Sequence, residues 1–546
     1  MITKLMIAFA LMVISSGTLI QSQENTFNYY YRIYFNDKGE NKTGDYLPGQ
    51  LLSERALARR QKAGIPLLDL RDIPVSTIYI RQIISMGFEL HCRSKWMNSA
   101  LFKTYHLEDT NQINNLPFVK DVRIVKNPSG KGLRNNKFDL IIEQSSPIPY
   151  DRPITMINGT SLHESGFQGK GVLVAVLDGG FFNTDRVTSL MPLRSRNGIK
   201  AVYDFVKNDE SVYDYHDHGT AVLSVLAGDI PGGIKGTAPS ADYILLRTED
   251  TETEFPVEED FWAAAAEFAD SIGADIISSS LGYSYFDDPS LDYKFSDLDG
   301  NTTFVTQVAD IAASKGILVV NSAGNERNKT WKYIIAPSDG DSVIAVGAVD
   351  GNKIISAFSS AGPSADGRIK PDLVAMGVQV PVQTDVSNIF RASGTSFSCP
   401  IITGMCASLM QAVPKAVNTD IAYALRLASD RFNSQPDTLY GYGVPDFKNA
   451  LTYLQELLLP KPEDVPLIGP NPFTTDINII FQHDPSRLKI EFFTLSGSLI
   501  SRRIYNSYAG RYLILSDLQN AEDGIYIIRL TTPDRVYTHK VIKINN

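Results

Sequence analysis

The chain has 546 residues, of which 43% are hydrophobic and 21% are charged. This length is too great for one ordinary domain, and this composition is that of a globular protein, so we expect about three folded domains. The formal net charge of −10 is spread along the chain, which argues against nucleic acid or an anionic membrane surface as the main partner.

Residues 1–22 have the organisation of a secretory signal peptide. Lys4 supplies the positive charge, a short apolar segment follows, and small and polar residues come after it. This segment is too short to span a bilayer, and no later apolar run is long enough to do so. The chain should therefore be exported, yet it contains only three cysteines, Cys92, Cys399 and Cys406. Their number and spacing predict no disulfide framework.

Residues 23–150 predict a small α+β domain. The aromatic stretch "FNYYYRIYF" alternates as a strand does, and "LLSERALARRQKAGI" and "STIYIRQIISMGF" have helical spacing. Two short strands are predicted in "ELHCRSKWMNSALFKTY", and a helix fragment running into a strand in "INNLPFVKDVRIVK". The Pro-rich, polar segment from Glu143 to Pro153 predicts a linker and a region of proteolytic cleavage.

Residues 151–457 alternate between apolar strands and helices. Stretches such as "GVLVAVLDGG", "ADIISSSLG" and "GILVVNSAGN" are continuous apolar runs that end at turn residues, the pattern of strands buried on both faces. Strand and helix in alternation predict an α/β domain of three layers, in which helices cover both faces of a parallel sheet. The active groups of such folds gather at the carboxyl ends of the strands.

The last part of the chain changes character again. Residues 458–467 form a Pro-rich linker, and residues 468–546 contain short alternating strands, among them "DINIIFQ", "LKIEFFTLSG" and "GIYIIRLTT". They predict a β-sandwich.

Three stretches of the middle domain carry residues suited to nucleophilic catalysis: Asp178 in "VAVLDGG", His218 in "HDHGTAVLSVLAG" and Ser396 in "RASGTSFSCP". Each has a structural alternative when taken alone, because Asp closes turns, a polar loop can cap a helix, and Ser is a common N-cap residue. Together they make up a Ser-His-Asp triad, in which Asp orients His and His deprotonates Ser.

The "HDH" stretch also raises the possibility of a metal site, since His216 and His218 are two residues apart. Residues at i and i+2 share a face only on a strand. His218 is predicted to begin a helix, and a zinc ion would need further ligands that no nearby Cys or His supplies. We therefore expect no metal here, and place His216 at the edge of the cleft.

The three stretches together resemble the signature blocks of the subtilisin-like serine proteases, the subtilases, and the resemblance extends from Gly169 to Asn449. The order Asp178, His218, Ser396 is the order of that family. The blocks "GTAPSADYILLR", "ISSSLGY" and "VVNSAGNE" follow in the family's sequence as well. The resemblance implies a subtilisin-like fold with Ser396 as nucleophile, His218 as general base and then acid, and Asp178 holding His218 in its tautomer.

The same resemblance implies further roles. Asn325 would bind the oxyanion together with the backbone N–H of Ser396. Ser280, Leu281 and Gly282 would pair with an extended substrate by strand addition, and Gly282 would leave room for a substrate side chain.

The chain departs from the family pattern at three positions. Gly179 follows the aspartate where the family has Thr or Ser, Ala221 stands where the family has a second His, and Ser278 replaces an Asn before the substrate strand. None of these changes removes a catalytic group.

The flanking domains acquire roles from further resemblances. The N-terminal unit resembles a subtilase propeptide, a folding aid and inhibitor whose tail lies in the cleft; an ordinary substrate-binding domain is the alternative. The C-terminal unit resembles the sorting domains of type IX secretion in Bacteroidetes, on "GPNPF", "GIYIIRLTT" and the final "THKVIKI". A carbohydrate-binding or adhesive sandwich is the alternative there.

Two acidic stretches remain. Asp297, Asp299 and Gly300 resemble part of a calcium loop, but the full EF-hand pattern is absent. We favour a solvated insertion, with calcium as the alternative, and expect no cofactor to be required. The acidic residues from Glu249 to Glu259 hint at basic substrates.

The sequence thus predicts an exported, monomeric serine endopeptidase made as a zymogen. Its partners would be polypeptide substrates, its own propeptide and the type IX secretion machinery, with no nucleic acid. A catalytically silent subtilase-fold binding or adhesion protein is the rival from another class. A lipase or esterase is disfavoured because Ser396 lies in "GTSFS" rather than in G-x-S-x-G.

Overall fold

The computed structural model describes residues 29–108, 110–128, 138, 141–143, 148–432, 434–458, 465–481, 485–508 and 511–544. The predicted signal peptide lies outside these residues, as do residues 459–464 of the predicted linker and residues 144–147 of the predicted cleavage region. Among the described helices, none combines the length and apolar character that crossing a bilayer requires.

The N-terminal unit is a four-stranded antiparallel sheet, in the order β2-β3-β1-β4, covered by short helices. Alternate residues of its first strand, Tyr31, Ile33 and Phe35, are buried against the helix that carries Ile80 and Ile83. The alternation predicted for this strand is therefore confirmed. The elements are β1 (Tyr29–Phe35), α1 (Pro48–Leu51), α2 (Glu54–Ala63), α3 (Thr77–Ser85), β2 (Glu89–Ser94), β3 (Ser99–Thr104), α4 (Thr110–Asn114) and β4 (Val119–Lys126).

The central unit is built on a seven-stranded parallel sheet in the order β12-β11-β10-β9-β6-β8-β7. A separate three-stranded sheet, β13-β14-β5, lies beside it. The elements are β5 (Ile141–Glu143), α5 (Arg152–Thr155), α6 (Thr160–Glu164), β6 (Leu173–Asp178), α7 (Met191–Ser195), β7 (Ile199–Asp204), α8 (His218–Ala227), β8 (Asp242–Arg247), α9 (Val257–Ile272), β9 (Ile276–Ser279), α10 (Phe304–Ser314), β10 (Leu318–Ser322), β11 (Val343–Val349), β12 (Leu373–Met376), β13 (Val380–Val382), β14 (Phe390–Ser393), α11 (Thr395–Ala412), α12 (Asn418–Leu427) and α13 (Phe447–Leu457).

Two separate hydrophobic cores lie on the two faces of the large sheet. Along β6, Val174 and Val176 belong to one core, whereas Leu173, Ala175 and Leu177 belong to the other. The first core is closed by α8 and α11 and the second by α9 and α10. Side chains of a strand alternate between faces, so an unbroken apolar run needs cover on both. The predicted three-layer α/β domain is confirmed.

The C-terminal unit is strand-rich, with a three-stranded sheet β15-β16-β19 and a four-stranded sheet β18-β17-β20-β21. The sequence did not reveal β18, because this edge strand exposes apolar side chains such as Ile500 and Ile504 instead of burying alternate ones. The elements are β15 (Leu467–Gly469), β16 (Ile477–Ile480), β17 (Ser486–Thr494), β18 (Leu499–Tyr508), β19 (Tyr512–Leu515), β20 (Gly524–Thr531) and β21 (Val536–Lys543).

The N-terminal sheet docks on α9, the acidic helix of the central domain. Arg32 of β1 is 2% exposed and donates to both carboxylate oxygens of Asp260 at 2.7–2.9 Å, to the backbone oxygen of Pro256 at 2.9 Å and to Glu259 at 3.4 Å. The Glu267 carboxylate accepts from Ser94 and from backbone N–H groups of the β2–β3 turn at 2.6–3.0 Å.

A second ionic cluster joins α2 to the C-terminal end of α9. Arg59 and Arg60 both donate to the carboxylate of Asp270, and Arg60 also binds Asp72 in a two-pronged contact at 2.7–2.8 Å. The hint that the acidic residues between Glu249 and Glu259 attract basic substrates stays a prediction. In the uncleaved chain Glu259 and Asp260 are buried against Arg32 of the N-terminal domain.

His91 lies in the same interface and predicts a pH dependence. Its Nε2 donates to the backbone oxygen of Phe205 at 2.8 Å, and burial lowers the pKa of the imidazole from 6.5 to about 4. Between pH 6.5 and pH 4 the folded protein therefore binds fewer protons than the unfolded chain. The contribution of the neutral, buried imidazole to the free energy of unfolding is intact above pH 6.5 and is lost as the pH falls toward 4.

We expect His91→Gln to flatten this dependence, because the glutamine amide can donate to Phe205 without titrating. Both proteins carry Ser396→Ala, so that the precursor cannot cleave itself. Between pH 6.5 and 5 the free energy of unfolding should fall by about 1.5 kcal/mol more with the native histidine than with the glutamine substitution, since one proton is worth roughly 1.4 kcal/mol per pH unit. Parallel stability curves for the two proteins would contradict the assignment. Since both carry the same carboxylates, only the imidazole differs.

Candidate active site

The three predicted catalytic residues meet at the carboxyl edge of the large sheet. Asp178 is the last residue of β6, His218 is the first residue of α8, and Ser396 is the second residue of α11, which begins just after β14. Their exposed fractions are only 0%, 2% and 8%. The site is thus assembled from one strand end and two helix starts, as expected for an open α/β sheet.

Asp178 and His218 form the innermost pair. One carboxylate oxygen of Asp178 accepts from His218 Nδ1 at 2.7 Å and from the backbone N–H of Gly179 at 2.7 Å. This contact keeps the proton on Nδ1 and leaves Nε2 as the basic nitrogen. Gly219 makes the approach possible, because a Cβ there would lie 3.0 Å from Asp178 Cβ.

The second carboxylate oxygen of Asp178 is buried and has no hydrogen-bond partner among the described residues. Gly179 departs here from the family pattern described above, and it brings no hydroxyl to this oxygen. The glycine at position 179 therefore coincides with a buried carboxylate oxygen of Asp178 that has no hydrogen-bond partner among the described residues.

Ser396 is the chain neighbour of a residue whose ring lies near the imidazole of His218. Its hydroxyl points to the backbone oxygen of Ser280 at 3.4 Å, and Phe397, the next residue, has its ring centroid 6.0 Å from that of His218. Cys399 is fully buried, and burial raises the pKa of its thiol to about 12. This thiol stays protonated and does not compete as a nucleophile. The prediction of no disulfide is confirmed, since all three cysteines are free.

Asn325 is held with its amide nitrogen available. The Oδ1 atom accepts from the backbone N–H of Thr395 at 2.9 Å and from the Thr395 hydroxyl at 3.0 Å. The amide oxygen being fixed in this way, the NH2 group is the donor left for the site. The N–H of Ser396 belongs to the first turn of α11, where backbone donors lack intrahelical partners. These are the two groups predicted to bind the oxyanion, and that role stays a prediction.

We expect Asn325→Ala to lower kcat by about 10²–10³-fold with little change in KM, because the lost donor acts mainly on charge that develops in the transition state. Steady-state kinetics on a peptide substrate measures both constants. Asn328→Ala is the matched control, since Asn328 is exposed in the same loop. An equal loss in the two variants would show that the loop, rather than the amide, is responsible.

Two of the three residues of the predicted substrate wall are buried and have backbone partners within the domain. Leu281 is 2% exposed, and its backbone oxygen accepts from Asn321 at 2.9 Å. Ser280 is 6% exposed, and its backbone oxygen accepts from the Ser396 hydroxyl at 3.4 Å. A Cβ on Gly282 would lie 2.5 Å from Ile335 Cγ1. Gly282 makes room for Ile335, which differs from the expected room for a substrate side chain.

The other two departures lie away from the reacting groups. Ala221 is fully buried within the first hydrophobic core. The Ser278 hydroxyl is fully buried as well, 3.1 Å from the Thr403 hydroxyl beneath α11. At both positions the side chain packs in the interior beneath the site.

The acidic loop around Asp299 closes on itself. One carboxylate oxygen of Asp299 accepts from the backbone N–H groups of Asn301 and Thr302 at 2.8 Å, and the other accepts from the Thr302 hydroxyl at 2.9 Å. Asp297 accepts from the backbone N–H of Lys294 at 2.8 Å. These carboxylates are used as local caps, and within the described residues no cluster of His, Cys, Asp and Glu is arranged to hold a metal ion.

The end of the N-terminal unit lies in the cleft. Strand β5 pairs antiparallel with β14, with Ile141 opposite Ser393, three residues before Ser396. Phe138 is 2% exposed, and its ring centroid lies 5.1 Å from that of His218 and 5.4 Å from that of His216. The region of cleavage predicted from Glu143 to Pro153 begins at the last residue of β5 and stays a prediction.

The comparisons with known proteins agree with this architecture. Residues 169–443, just over half of the chain, match the subtilase family. Residues 30–138 match the peptidase S8 propeptide domain of Bacteroidota, and residues 468–545 match a secretion system C-terminal sorting domain. These matches lie within the predicted domain ranges, whose exact boundaries stay predictions.

Individual relatives are bacterial proteases. A thermophilic serine proteinase of Bacillus sp. (strain AK1) is 32% identical over 254 residues, which are 46% of this chain and 56% of that protein. A thermostable alkaline protease of Halalkalibacterium halodurans is 28% identical, over 59% of this chain and 78% of its own length. Subtilisin DY of Bacillus licheniformis is 29% identical, over 56% of this chain and 98% of its own length. The chain therefore spans little more than half of the first relative and nearly all of the third. With the large sheet and all three catalytic candidates inside the matched region, the chain belongs to the subtilase family.

Proposed function

We propose that the protein is an exported serine endopeptidase, synthesised as a zymogen and hydrolysing polypeptides through Ser396, His218 and Asp178. The observation that carries the proposal is the 2.7 Å contact between Asp178 and His218 Nδ1, with Phe397, the residue after Ser396, packed near the same imidazole. The match of residues 30–138 to a family of propeptides supports the zymogen, and the C-terminal match supports export by the type IX route to the cell surface or beyond.

The chemistry follows from the positions of these groups. An extended substrate lies along Ser280 and Gly282 with its scissile carbonyl at Ser396. The Ser396 oxygen attacks this carbonyl carbon while His218 Nε2 takes the hydroxyl proton. Negative charge develops on the carbonyl oxygen, where the Asn325 amide and the Ser396 N–H stabilise it. His218 then gives its proton to the leaving nitrogen, and the C–N bond breaks.

Release of the acyl group repeats these steps with water. His218 removes a proton from water as the water oxygen attacks the acyl carbon; the bond between the acyl carbon and the Ser396 oxygen then breaks, and His218 returns the proton to that oxygen. Asp178 stabilises the protonated imidazole in both halves of the reaction. All groups come from one chain and none needs a cofactor, so we propose a monomeric enzyme that requires no cofactor.

The N-terminal domain is proposed to act first as a folding template and then as an inhibitor. Its sheet binds α9 and its tail places Phe138 against the triad. A substrate cannot reach His218 while this side chain is in place. Substrates and the secretion machinery are polypeptide partners in this proposal, and nucleic acid has no part in it.

A fluorophosphonate probe tests the proposal, because it labels only a serine activated by a neighbouring base. We expect covalent labelling of the matured protein and none in Ser396→Ala. Ser398→Ala is the matched control and should be labelled, since its hydroxyl is occupied by the backbone oxygen of Thr395 at 2.9 Å. A matured protein that neither reacts with the probe nor cleaves any peptide would instead be a silent binding or adhesion protein.

A further inference from the structure

The ring of Phe138 fills a pocket whose floor is Gly179. A Cβ placed on Gly179 would lie 3.0 Å from Phe138 Cζ and 3.1 Å from Cε1, closer than side chains normally approach. Thr251 Cγ2 would be 3.1 Å from the same point. The imidazoles of His218 and His216 also pack against the ring, with centroids 5.1 and 5.4 Å from its own.

The glycine is not required by the backbone at this position. Gly180, next in the chain, has a positive φ of 147°, whereas Gly179 is not among the positive-φ residues. A residue with a side chain fits the backbone of Gly179, and its Cβ would press on the aromatic ring and on the Thr251 methyl group. The missing side chain therefore sets the size of the pocket.

The position of Phe138 along a substrate follows from its neighbours. The residue whose carbonyl is attacked lies at Ser396 with its side chain along the wall of Ser280 and Gly282. Because side chains of an extended chain alternate in direction, the side chain before it points away from this wall, toward His218. Phe138 occupies that position, known as P2, and Ile141 is bound beyond the site opposite Ser393.

We propose that Gly179 creates a P2 pocket for aromatic side chains, and that the enzyme prefers polypeptides with Phe or Tyr at this position. This inference rests on the proposed endopeptidase function. The ring packs edge to face on the His218 imidazole, with an interplanar angle of 67°, a favoured arrangement for aromatic pairs. It also covers the buried Asp178–His218 pair from solvent.

If Phe138 is the P2 residue, the attacked residue is the next one in the sequence, and the first maturation cut is expected after Asp139. In that hydrolysis the C–N bond breaks, water supplies a hydroxyl to the Asp139 carbonyl and the Leu140 nitrogen gains a proton. Mass spectrometry of the released propeptide should therefore find Asp139 at its C-terminus, and any other first terminus would overturn the assignment of Phe138 to P2.

Two peptides with the sequence of residues 134–143 test the pocket, one with Phe and one with Ala at position 138. For the matured enzyme we expect kcat/KM to be about tenfold or more higher with Phe, which is about 1.4 kcal/mol or more of transition-state binding. In Gly179→Ala this ratio should fall to about one, because the added methyl group overlaps the ring. Gly351→Ala is the control glycine substitution, since its Cβ would meet only Ile148 at an ordinary 3.5 Å.

Rates are counted per active site titrated with the fluorophosphonate probe, so a poorly folded variant does not imitate lost specificity. Equal cleavage of the two peptides by the wild type would overturn the pocket, as would an unchanged Phe-to-Ala ratio in Gly179→Ala. A failure of the proposed function looks different: neither peptide is cleaved and Ser396 is not labelled.

A second observation concerns the side chain of the attacked residue itself, the position known as P1. Ile335 lies between two glycines of the substrate cleft: a Cβ on Gly282 would be 2.5 Å from its Cγ1, and one on Gly324 would be 2.9 Å from its Cγ1 and Cδ1. Gly324 directly precedes Asn325 of the oxyanion site. The space beneath the attacked residue is thus filled by Ile335, and we infer that the enzyme accepts small P1 side chains and rejects large ones.

Peptides with Ala or Phe at P1, both carrying Phe at P2, test this inference. The wild type should favour Ala by about tenfold or more, and Ile335→Ala should shift the ratio toward Phe by about tenfold, since it reopens the space of a half-buried aliphatic side chain. Ile354→Ala serves as a control because Ile354 is 60% exposed. A wild-type enzyme that prefers Phe at P1, or an Ile335→Ala variant with an unchanged ratio, would overturn the inference.

Discussion

Replacing His218 with alanine should lower kcat by about 10⁶-fold, whereas replacing His216 should leave kcat within about tenfold of the wild type. The two imidazoles are two residues apart, yet their contacts differ. His218 Nδ1 is bonded to the buried carboxylate of Asp178, which leaves Nε2 as a base. His216 Nδ1 accepts the backbone N–H of His218 at 3.1 Å, so it caps the start of α8.

The measurement needs matured enzyme, which the His218 variant cannot produce by itself. Cleavage of both precursors in trans by a trace of wild-type enzyme, followed by its removal through an affinity tag, supplies comparable samples. Steady-state rates on one peptide then give the ratio. If His216→Ala were as inactive as His218→Ala, the assignment of the base would be wrong; a loss of thermal stability without loss of kcat would fit the cap.

Replacing Arg32 with leucine should strongly weaken the binding of the propeptide domain to α9. The substitution leaves Asp260 and Glu259 buried opposite an apolar side chain. Breaking a buried ion pair by removing one partner costs about 3–5 kcal/mol. We therefore expect the precursor, blocked by Ser396→Ala, to lose about that much free energy of unfolding. Chemical denaturation at pH 8 measures it.

The pH dependence of this loss provides an internal check. Burial raises the pKa of Glu259 to about 7, so this carboxyl takes up a proton as the pH falls below 7 and its burial then costs less. The effect of Arg32→Leu should shrink between pH 8 and pH 6. Arg123→Leu, in the neighbouring strand, is the control, because Arg123 and Asp121 form an exposed pair worth about 1 kcal/mol or less.

A double variant separates the ion pair from the shape of the interface. If unpaired charge causes the loss, Arg32→Leu combined with Asp260→Leu should recover much of the stability, since two apolar partners replace a broken pair. Additive losses in the double variant would show that packing around Arg32, including its stacking on the Phe304 ring at 3.6 Å, dominates.

The sequence predicts those features that depend on local pattern. Strand β6 is an unbroken apolar run, and only a strand covered on both faces tolerates one, so the three-layer domain follows directly. The triad follows from the order of three motifs. Asn325 follows from the resemblance of its block, and the hydrogen bonds to Thr395 now give its orientation a physical cause.

Features that depend on long-range contacts escape such reasoning. Nothing near Gly282 in the sequence points to Ile335. The sequence around Asp260 also does not show whether this carboxylate faces a substrate or, as the structure has it, Arg32. Phe138 is a single aromatic residue in a polar stretch, with no periodicity to single it out. Its role becomes visible only when the pairing of β5 with β14 brings it to the triad.

Because ion pairs hold the propeptide on the enzyme, cleavage between them also separates two fragments of different net charge. In residues 29–139 lysine and arginine outnumber aspartate and glutamate, although the whole chain carries −10. Cutting the chain therefore releases a basic fragment from an enzyme more acidic than its precursor. Attraction between the two is long-ranged in dilute buffer and is screened beyond about 8 Å at physiological ionic strength. A cell in a saline medium should therefore recapture less of the inhibitor after cleavage, so salt in the surroundings would hasten the appearance of activity.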